Sequence, residues 1–394
     1  MLAAQSFYRL SGFVIVMVLA RSLSAAAIGA FVFAMAFAES FVAISNFGLN
    51  SVMSRSVAGN PEGASERFAG ILGFRLVSGL IYVTIVTLAA VLFTSAPWKL
   101  MLAATLIVLV EDTYYSFGSL FLALRKAVYN VTLGVTVQTL FIAIFLVGMY
   151  LRPSLSLLVA VNAFRVAALL IGAAWLTHRK LFHLSVSWDS AAVRAALPFV
   201  GMAVVNALRD QIGAVMLGLL SSYDAVAYYN LVSRVQVAAL AIPTAVAAVL
   251  SPLIVAHGLD EQNRKRLLTA TLFILVTALM GSVIVAVFPG RIAAIMYGPL
   301  AAPTAPLVPI LALIFPVSFL ALFCSLVLQA LYREVHVLRT MVVVAASNIL
   351  LNILLIPSLG ARGALYAMLI ATAIQLAILS WDLKVKMAER SHVS

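Results

Sequence analysis

Residues 178–195 read HRKLFHLSVSWDSAAVRA, the longest polar interval in a chain of 394 residues. On both sides of it the sequence is a succession of apolar runs. Each is close to the roughly 20 residues that an α-helix needs to cross a bilayer core. Six runs precede the interval, near 2–20, 27–49, 70–93, 99–124, 127–150 and 154–177, and six follow it, near 196–220, 227–255, 267–288, 305–330, 338–357 and 363–381. They are too long and too unalternating for the roughly ten-residue strands of a membrane β-barrel. The reading is an all-α polytopic membrane protein of about twelve transmembrane helices in two six-helix lobes. The N-terminal lobe is residues 1–177, the cytoplasmic inter-lobe linker 178–195, and the C-terminal lobe with its short basic tail 196–394.

Composition agrees. The chain is 64% hydrophobic and 10% charged, with a mean hydropathy of +1.13. Soluble domains hold about 25% charged residues, so this chain has too few polar groups to cover a water-facing surface. A soluble enzyme, a disordered chain and a disulfide-built secreted scaffold are excluded, the last because Cys324 is the single cysteine. A net charge of +12 and a pI near 10.1 would suggest nucleic acid in a soluble protein. Here the basic residues sort by topology instead. Arg55, Arg67, Arg125, Lys126, Arg179, Lys180, Arg194, the run Arg264-Lys265-Arg266, Arg333, Arg339, Lys384, Lys386 and Arg390 fall on one side. Only Arg21, Lys99, Arg152, Arg291 and Arg362 fall on the other. The positive-inside rule puts both termini in the cytoplasm, and no nucleic-acid partner is expected. The first span starts almost at Met1, without a basic flank or signal-peptide pattern, as in a short-headed chain or one whose start is placed too late.

The halves resemble each other. Ile28-Gly29-Ala30-Phe31, opening the second span, aligns with Val226-Ala227-Tyr228-Tyr229, opening the eighth, and Leu124-Arg125 resembles the stretch from Leu331 to Arg333. Two repeats in the same orientation imply a pseudo-two-fold axis along the membrane normal, and transporters place their substrate site at such an interface.

Ionisable groups at membrane depth are costly and normally face protein or water. Arg9, Glu39, Glu111, Asp112, Arg165, Arg209 and Asp210 sit near mid-span. Gln5, Arg9 and Gly12 share one helix face, as do Asn206, Arg209, Asp210 and Gly213. Arg9 and Arg209, at similar depth in the first span of each half, read as cavity residues. Arg165, one turn from Asn162, fits a cavity or a structural pair equally. Asn348, Asn352 and Gln138 read as interhelical amide contacts, and Arg75 and Arg234 as side chains that snorkel to the headgroups. The mid-depth set is nearly balanced in charge, so it shows a polar interior and not a positive one. Pro243 in span eight and Pro309 and Pro316 in span ten permit kinks.

No catalytic constellation appears. His178, His183, His257, His336 and His392 lie in or beside loops without metal-ligand spacing, and there is no Walker-type phosphate loop. No cofactor and no metal is implied. Glu62 with Glu66, and Asp260 with Glu261, read as solvated connectors.

Four stretches resemble a known family. They are LARSLSAAAIGAFVFAMAFAESFVAISNFGLNSVMSRSVA (19–58), LPFVGMAVVNALRDQIGAVMLGLLSSYDAVAYYNLVSRV (197–235), the segment from Pro243 to Pro252, and SNILLNILLIPSLGARGALYAMLIAT (347–372). The chain resembles the polysaccharide or O-antigen flippases of the multidrug/oligosaccharidyl-lipid/polysaccharide (MOP) exporter superfamily. That resemblance implies a MATE-like fold in which the first two helices of each lobe line a central cavity. It implies a bacterial inner-membrane protein that moves undecaprenyl-diphosphate-linked oligosaccharide to the periplasmic leaflet, by alternating access and without covalent chemistry. Membrane lipids and the polysaccharide polymerase and export machinery are the further partners implied. Carried over, the cavity candidates are Arg9, Glu39, Arg209, Asp210 and Arg234, with Arg55 at the cytoplasmic entrance and Glu111, Asp112 and Arg165 as a coupling or polar-interior set. Guanidinium groups suit a diphosphate because they donate paired hydrogen bonds. Gly29, Gly48, Gly360 and Gly363 read as turns or close helix contacts, and Pro357 as the end of span eleven.

Two rivals remain. A cation-coupled multidrug exporter of the same fold carries an acidic residue in its first helix, and span one here has none. A polytopic glycosyltransferase or polymerase needs a large charged outer loop. The longest outward loop, PGRIAAIMYGPLAAPTA, has one charge, Arg291.

Overall fold

A computed structural model describes the backbone of residues 2–59 and 61–391. The side chains of residues 2–6, 9, 10, 51, 55, 56, 58, 190–193, 195, 198, 202, 206 and 387–391 lie outside the described residues, and with them the expectations on Gln5, Arg9, Arg55 and Asn206. Every described regular element is helical. The first half contains α1 (Leu2–Ser22), α2 (Ala25–Ser40), α3 (Val42–Asn46), α4 (Leu49–Gly59), α5 (Ala64–Phe93), α6 (Trp98–Ala123), α7 (Ala127–Leu151) and α8 (Leu155–Lys180). There follow α9 (Ser190–Leu220), α10 (Tyr223–Ala239), α11 (Ala241–His257), α12 (Glu261–Val287), α13 (Pro289–Tyr297), α14 (Ala301–Thr304), α15 (Ile310–Ala330), α16 (Glu334–Leu359) and α17 (Ala361–Ser391). Among the described residues, eleven spans are long and apolar enough to cross a membrane, and α1 adds the shorter apolar helix Ser11–Ser22. The protein is a multi-pass membrane protein, and the order of its spans is the one read from the sequence.

Two compact units form. One holds residues 3–18 and 22–215, the other residues 19–21 and 216–394. The packing division therefore falls inside α9, and the interval 178–195 belongs wholly to the first unit. Each unit is organised around its fourth span. In the first, α6 packs on α2, α3, α4, α5, α7 and α8; in the second, α15 packs on α10, α11, α12, α16 and α17. Because lipid is as apolar as leucine, helices associate through close packing and polar contacts. Ala34 and Ala38 of α2 are fully buried, with Ala30 one turn earlier, and small residues at that spacing let the backbones approach.

The repeat is written in the local stereochemistry of each unit. The hydroxyl of Ser24 caps α2 by accepting from the Ala27 amide at 3.3 Å. Ser222 caps α10 in the same way through the Ala225 amide, at 3.2 Å. Span two breaks between α2 and α3 at Phe41, and span eight breaks between α10 and α11 at Leu240. The fourth spans end alike. Arg125 (φ 58°) and Tyr332 (φ 59°) are left-handed, the Lys126 amide donates to the Phe121 carbonyl at 2.7 Å, and the Arg333 amide donates to the Leu328 carbonyl at 3.0 Å. These satisfy helix-end carbonyls that would otherwise lack partners.

Three proline expectations change. Because span eight breaks at Leu240, Pro243 falls in the first turn of α11, where its missing N–H costs nothing. Pro309 immediately precedes α15, and Pro316 lies inside it. Pro357 does not end span eleven; α16 continues to Leu359 and stops at Gly360, whose φ is +52°. Gly363 is a close contact as expected, since a Cβ there would meet the Leu355 carbonyl.

The polar interval is a strap. Residues 182–189 have no regular secondary structure, and the Ser187 amide donates to the Ala69 carbonyl of α5 at 3.1 Å. Phe182 packs edge-on to Phe68 and Trp188 against Phe74. A Cβ on Gly73 would collide with the Ser187 carbonyl, so glycine is what lets the strap lie on the helix.

Candidate functional site

The break in span two positions the site. Ser40 bonds back to the Ala36 carbonyl at 2.8 Å, and α3 then ends in two successive left-handed residues, Phe47 (φ 50°) and Gly48 (φ 76°). A Cβ on Gly48 would lie 2.6 Å from Cβ of Phe199, so both conformation and space require glycine there. This turn separates Asn46 from Asn50 and directs both at the polar side of α6. Irregular backbone at membrane depth is tolerated where it is buried or lines a cavity.

A cavity of about 450 Å³ opens within the first unit, lined by residues of α2, α3, α4, α6 and α9. Its polar wall comprises Glu39, Asn46, Asn50, Glu111, Asp112, Tyr115, Asp210 and Gln211. Asp112 is the most deeply held. Its Oδ2 accepts from Arg75 at 2.7 Å, with side-chain exposures of 6% and 2%. Its Oδ1 accepts from Asn46 Nδ2 at 3.2 Å. The second guanidinium arm of Arg75 donates to Asn50 Oδ1 at 3.1 Å, which also accepts from Ser116 at 2.8 Å. Nε of Arg75 and Oδ1 of Asn46 are buried without a partner. Arg75 thus does not snorkel. It is 3% exposed, because α5 turns it inward onto an acid 37 residues away.

Glu111 is held from the other side. Arg165 of α8 donates to it at 3.0 Å, is oriented by Asn162 at 3.0 Å, and lies over the Phe141 ring. The Tyr115 hydroxyl reaches Glu111 Oε1 at 3.5 Å. Glu39 accepts a hydrogen bond from Gln211, which joins α2 to α9. Arg209 donates to Asp210 Oδ1 through Nε and Nη2, each at 2.9 Å.

The structure thus brings Glu39, Glu111, Asp112 and Asp210 to one cavity. It places Arg165 behind Glu111 and pairs Arg209 with its own neighbour. Arg234 is exposed on α10 in the other unit. Gln138 makes the expected interhelical contact, donating to Ser11 at 2.9 Å. Asn348 and Asn352 instead bond each other along α16, with Asn352 Nδ2 2.6 Å from Asn348 Oδ1. Residues not singled out from sequence are Asn46, Asn50, Ser116, Tyr115 and Gln211. Asn46 and Asn50 have helical spacing, but the left-handed turn between them carries no periodic signal.

Two all-α units with matching helix breaks and caps, and a cavity with a polar wall among the spans, define a polytopic all-α membrane protein. The lipid II flippase MurJ in an inward closed conformation matches with a TM-score of 0.80 at 14% identity, over 97% of this chain and 87% of that one. An inward-facing multidrug resistance MATE family transporter of the MOP superfamily matches at 0.69 and 13%, over 97% and 95%. A MOP superfamily transporter from Pyrococcus furiosus matches at 0.60 and 15%, over 98% and 92%. At such identities the likeness is one of fold. The chain belongs to the polysaccharide biosynthesis protein family, whose pattern matches residues 1–257. No curated protein sequence matches it.

Proposed function

We propose that the protein is an alternating-access flippase that moves an undecaprenyl-diphosphate-linked oligosaccharide from the cytoplasmic to the periplasmic leaflet of a bacterial inner membrane. The observation that carries this reading is the cavity with an acidic and amide wall among membrane-spanning helices, in a chain of a polysaccharide biosynthesis family. Buried ion pairs on this scale are expensive to form, and they are worth keeping where a polar cargo must pass. The lipid tail stays in the bilayer while sugars and diphosphate cross. Arg9, Arg209 and Arg234, with Arg55 at the entrance, are the guanidinium groups assigned to the diphosphate. Both termini lie in the cytoplasm, and the polymerase and export machinery take up the product. The test is a deletion strain complemented by Arg9→Ala or Arg209→Ala. Loss of surface polysaccharide with protein still in the membrane, and lipid-linked intermediates accumulating, is the expected result; normal polysaccharide from both variants refutes the assignment.

The acidic lining favours one other reading, a cation-coupled small-molecule exporter of the same fold. It predicts a changed drug-resistance profile in the deletion strain with polysaccharide intact.

A further inference from the structure

Among the described residues, the charged groups that line the cavity of the first unit are all acidic. Glu39, Glu111, Asp112 and Asp210 line it, and among the described residues no arginine or lysine does. The cations stand behind or beside the acids. Arg75 approaches Asp112 from a buried position on α5, Arg165 approaches Glu111 from α8, and Arg209 occupies Oδ1 of Asp210 while the Asp210 side chain stays 58% exposed. An ionised carboxylate is an acceptor only. Asn46 commits one of its two amide N–H groups to Asp112 and keeps an acceptor, Oδ1, without a partner. Gln211 commits one of its two amide N–H groups to Glu39. With four carboxylates against a few amide N–H groups, such a wall asks its ligand chiefly for donors: hydroxyls, amide N–H groups or ammonium. A ligand carboxylate or phosphate meets a wall of carboxylates that offers it few donors, with the compensating guanidinium groups already committed to those acids. The volume, about 450 Å³, is that of a small-molecule pocket, suited to a few head sugars rather than a whole glycan. Tyr115 also lines it.

We infer that this cavity is the subsite for the sugar residues of the cargo, and that it selects glycans that are neutral or carry amino groups over glycans bearing uronate or phosphate. The inference rests on the flippase reading, and it places the diphosphate outside this cavity.

The test uses the full-length protein in liposomes of zwitterionic lipid at low ionic strength. Two polyprenyl-diphosphate trisaccharides are compared, identical except that one hexose is oxidised to a hexuronate in the second. Transfer between leaflets is read by protection from membrane-impermeant periodate. The neutral probe should cross at least ten-fold faster. Glu39→Gln retains an amide partner for Gln211, and Asp210→Asn alters an exposed group, so each keeps the fold. Each should narrow the gap by speeding the uronate probe, and together they should bring it within about three-fold. If both probes cross at equal rates, or the uronate crosses faster, the selectivity is overturned and the flippase reading stands. If neither probe crosses, the flippase reading falls and this inference falls with it.

Discussion

Replacing Arg75 by Met removes the cation of the buried pair while keeping the apolar stem that packs in α5. The guanidinium lies 2.7 Å from Asp112 Oδ2, both side chains being nearly inaccessible. With charge centres about 4 Å apart and an effective dielectric near 20, the attraction is about 4 kcal/mol. Removing one partner of a buried pair costs about 3–5 kcal/mol, because the remaining charge is left without compensation. The loss spreads, since Asn50 also gives up a donor at 3.1 Å. Asp112→Asn alone should cost a similar amount by stranding the guanidinium. The double variant should be more stable than the sum of the singles predicts, by at least about 2 kcal/mol. Reversible unfolding in mixed micelles of the wild type, both single variants and the double variant measures this coupling. A cost under about 1 kcal/mol for Arg75→Met, the value typical of exposed pairs, together with no coupling in the cycle, would refute the buried-pair account and restore the headgroup-snorkelling one.

Other predictions concern single contacts. Gly73→Ala drives a methyl group into the Ser187 carbonyl and should cost about 1–3 kcal/mol, with residues 182–189 becoming cleavable by protease while α5 stays protected. Ser24→Ala and Ser222→Ala each remove an N-cap acceptor and should each cost about 1 kcal/mol in the same unfolding assay; markedly unequal losses would count against the local repeat. The Tyr297 hydroxyl donates to the Leu231 carbonyl at 3.1 Å, and burial raises its proton affinity above the ordinary tyrosine value near 10. Tyr297→Phe should cost about 1 kcal/mol at neutral pH. A group whose folded pKa is raised contributes stability below its unfolded pKa and loses it as pH rises beyond. The wild-type advantage should therefore shrink as pH climbs past 10, and a gap that widens there would contradict the buried phenol.

The spans, their order and the doubling of the chain could be read from residues alone, because an α-helix satisfies its own backbone and a lipid-facing helix needs only local apolar length. Capping residues and helix stops are equally local. Ser24 and Ser222 sit at the same step of the repeat, and Gly48 marks a turn that only glycine accommodates. The site was legible only as an inventory. Sequence placed Glu39, Glu111, Asp112, Arg165, Arg209 and Asp210 at membrane depth; it could not say which charge meets which. That is a matter of helix rotation and of contacts between residues far apart in the chain. Arg75 became an inward, buried partner of Asp112 instead of a headgroup anchor. Arg209 turned to its neighbour Asp210. The interval at 178–195, which divides the hydropathy pattern, was drawn onto α5 by Phe182, Trp188 and the Ser187 amide. The sequence by itself determined a membrane protein of repeated six-span halves, since apolar length and local caps act over a few residues. Only tertiary structure decided that the cavity of the first unit is lined by carboxylates while its arginines stand behind or beside them, because charge compensation in a low-dielectric interior is settled by packing across helices.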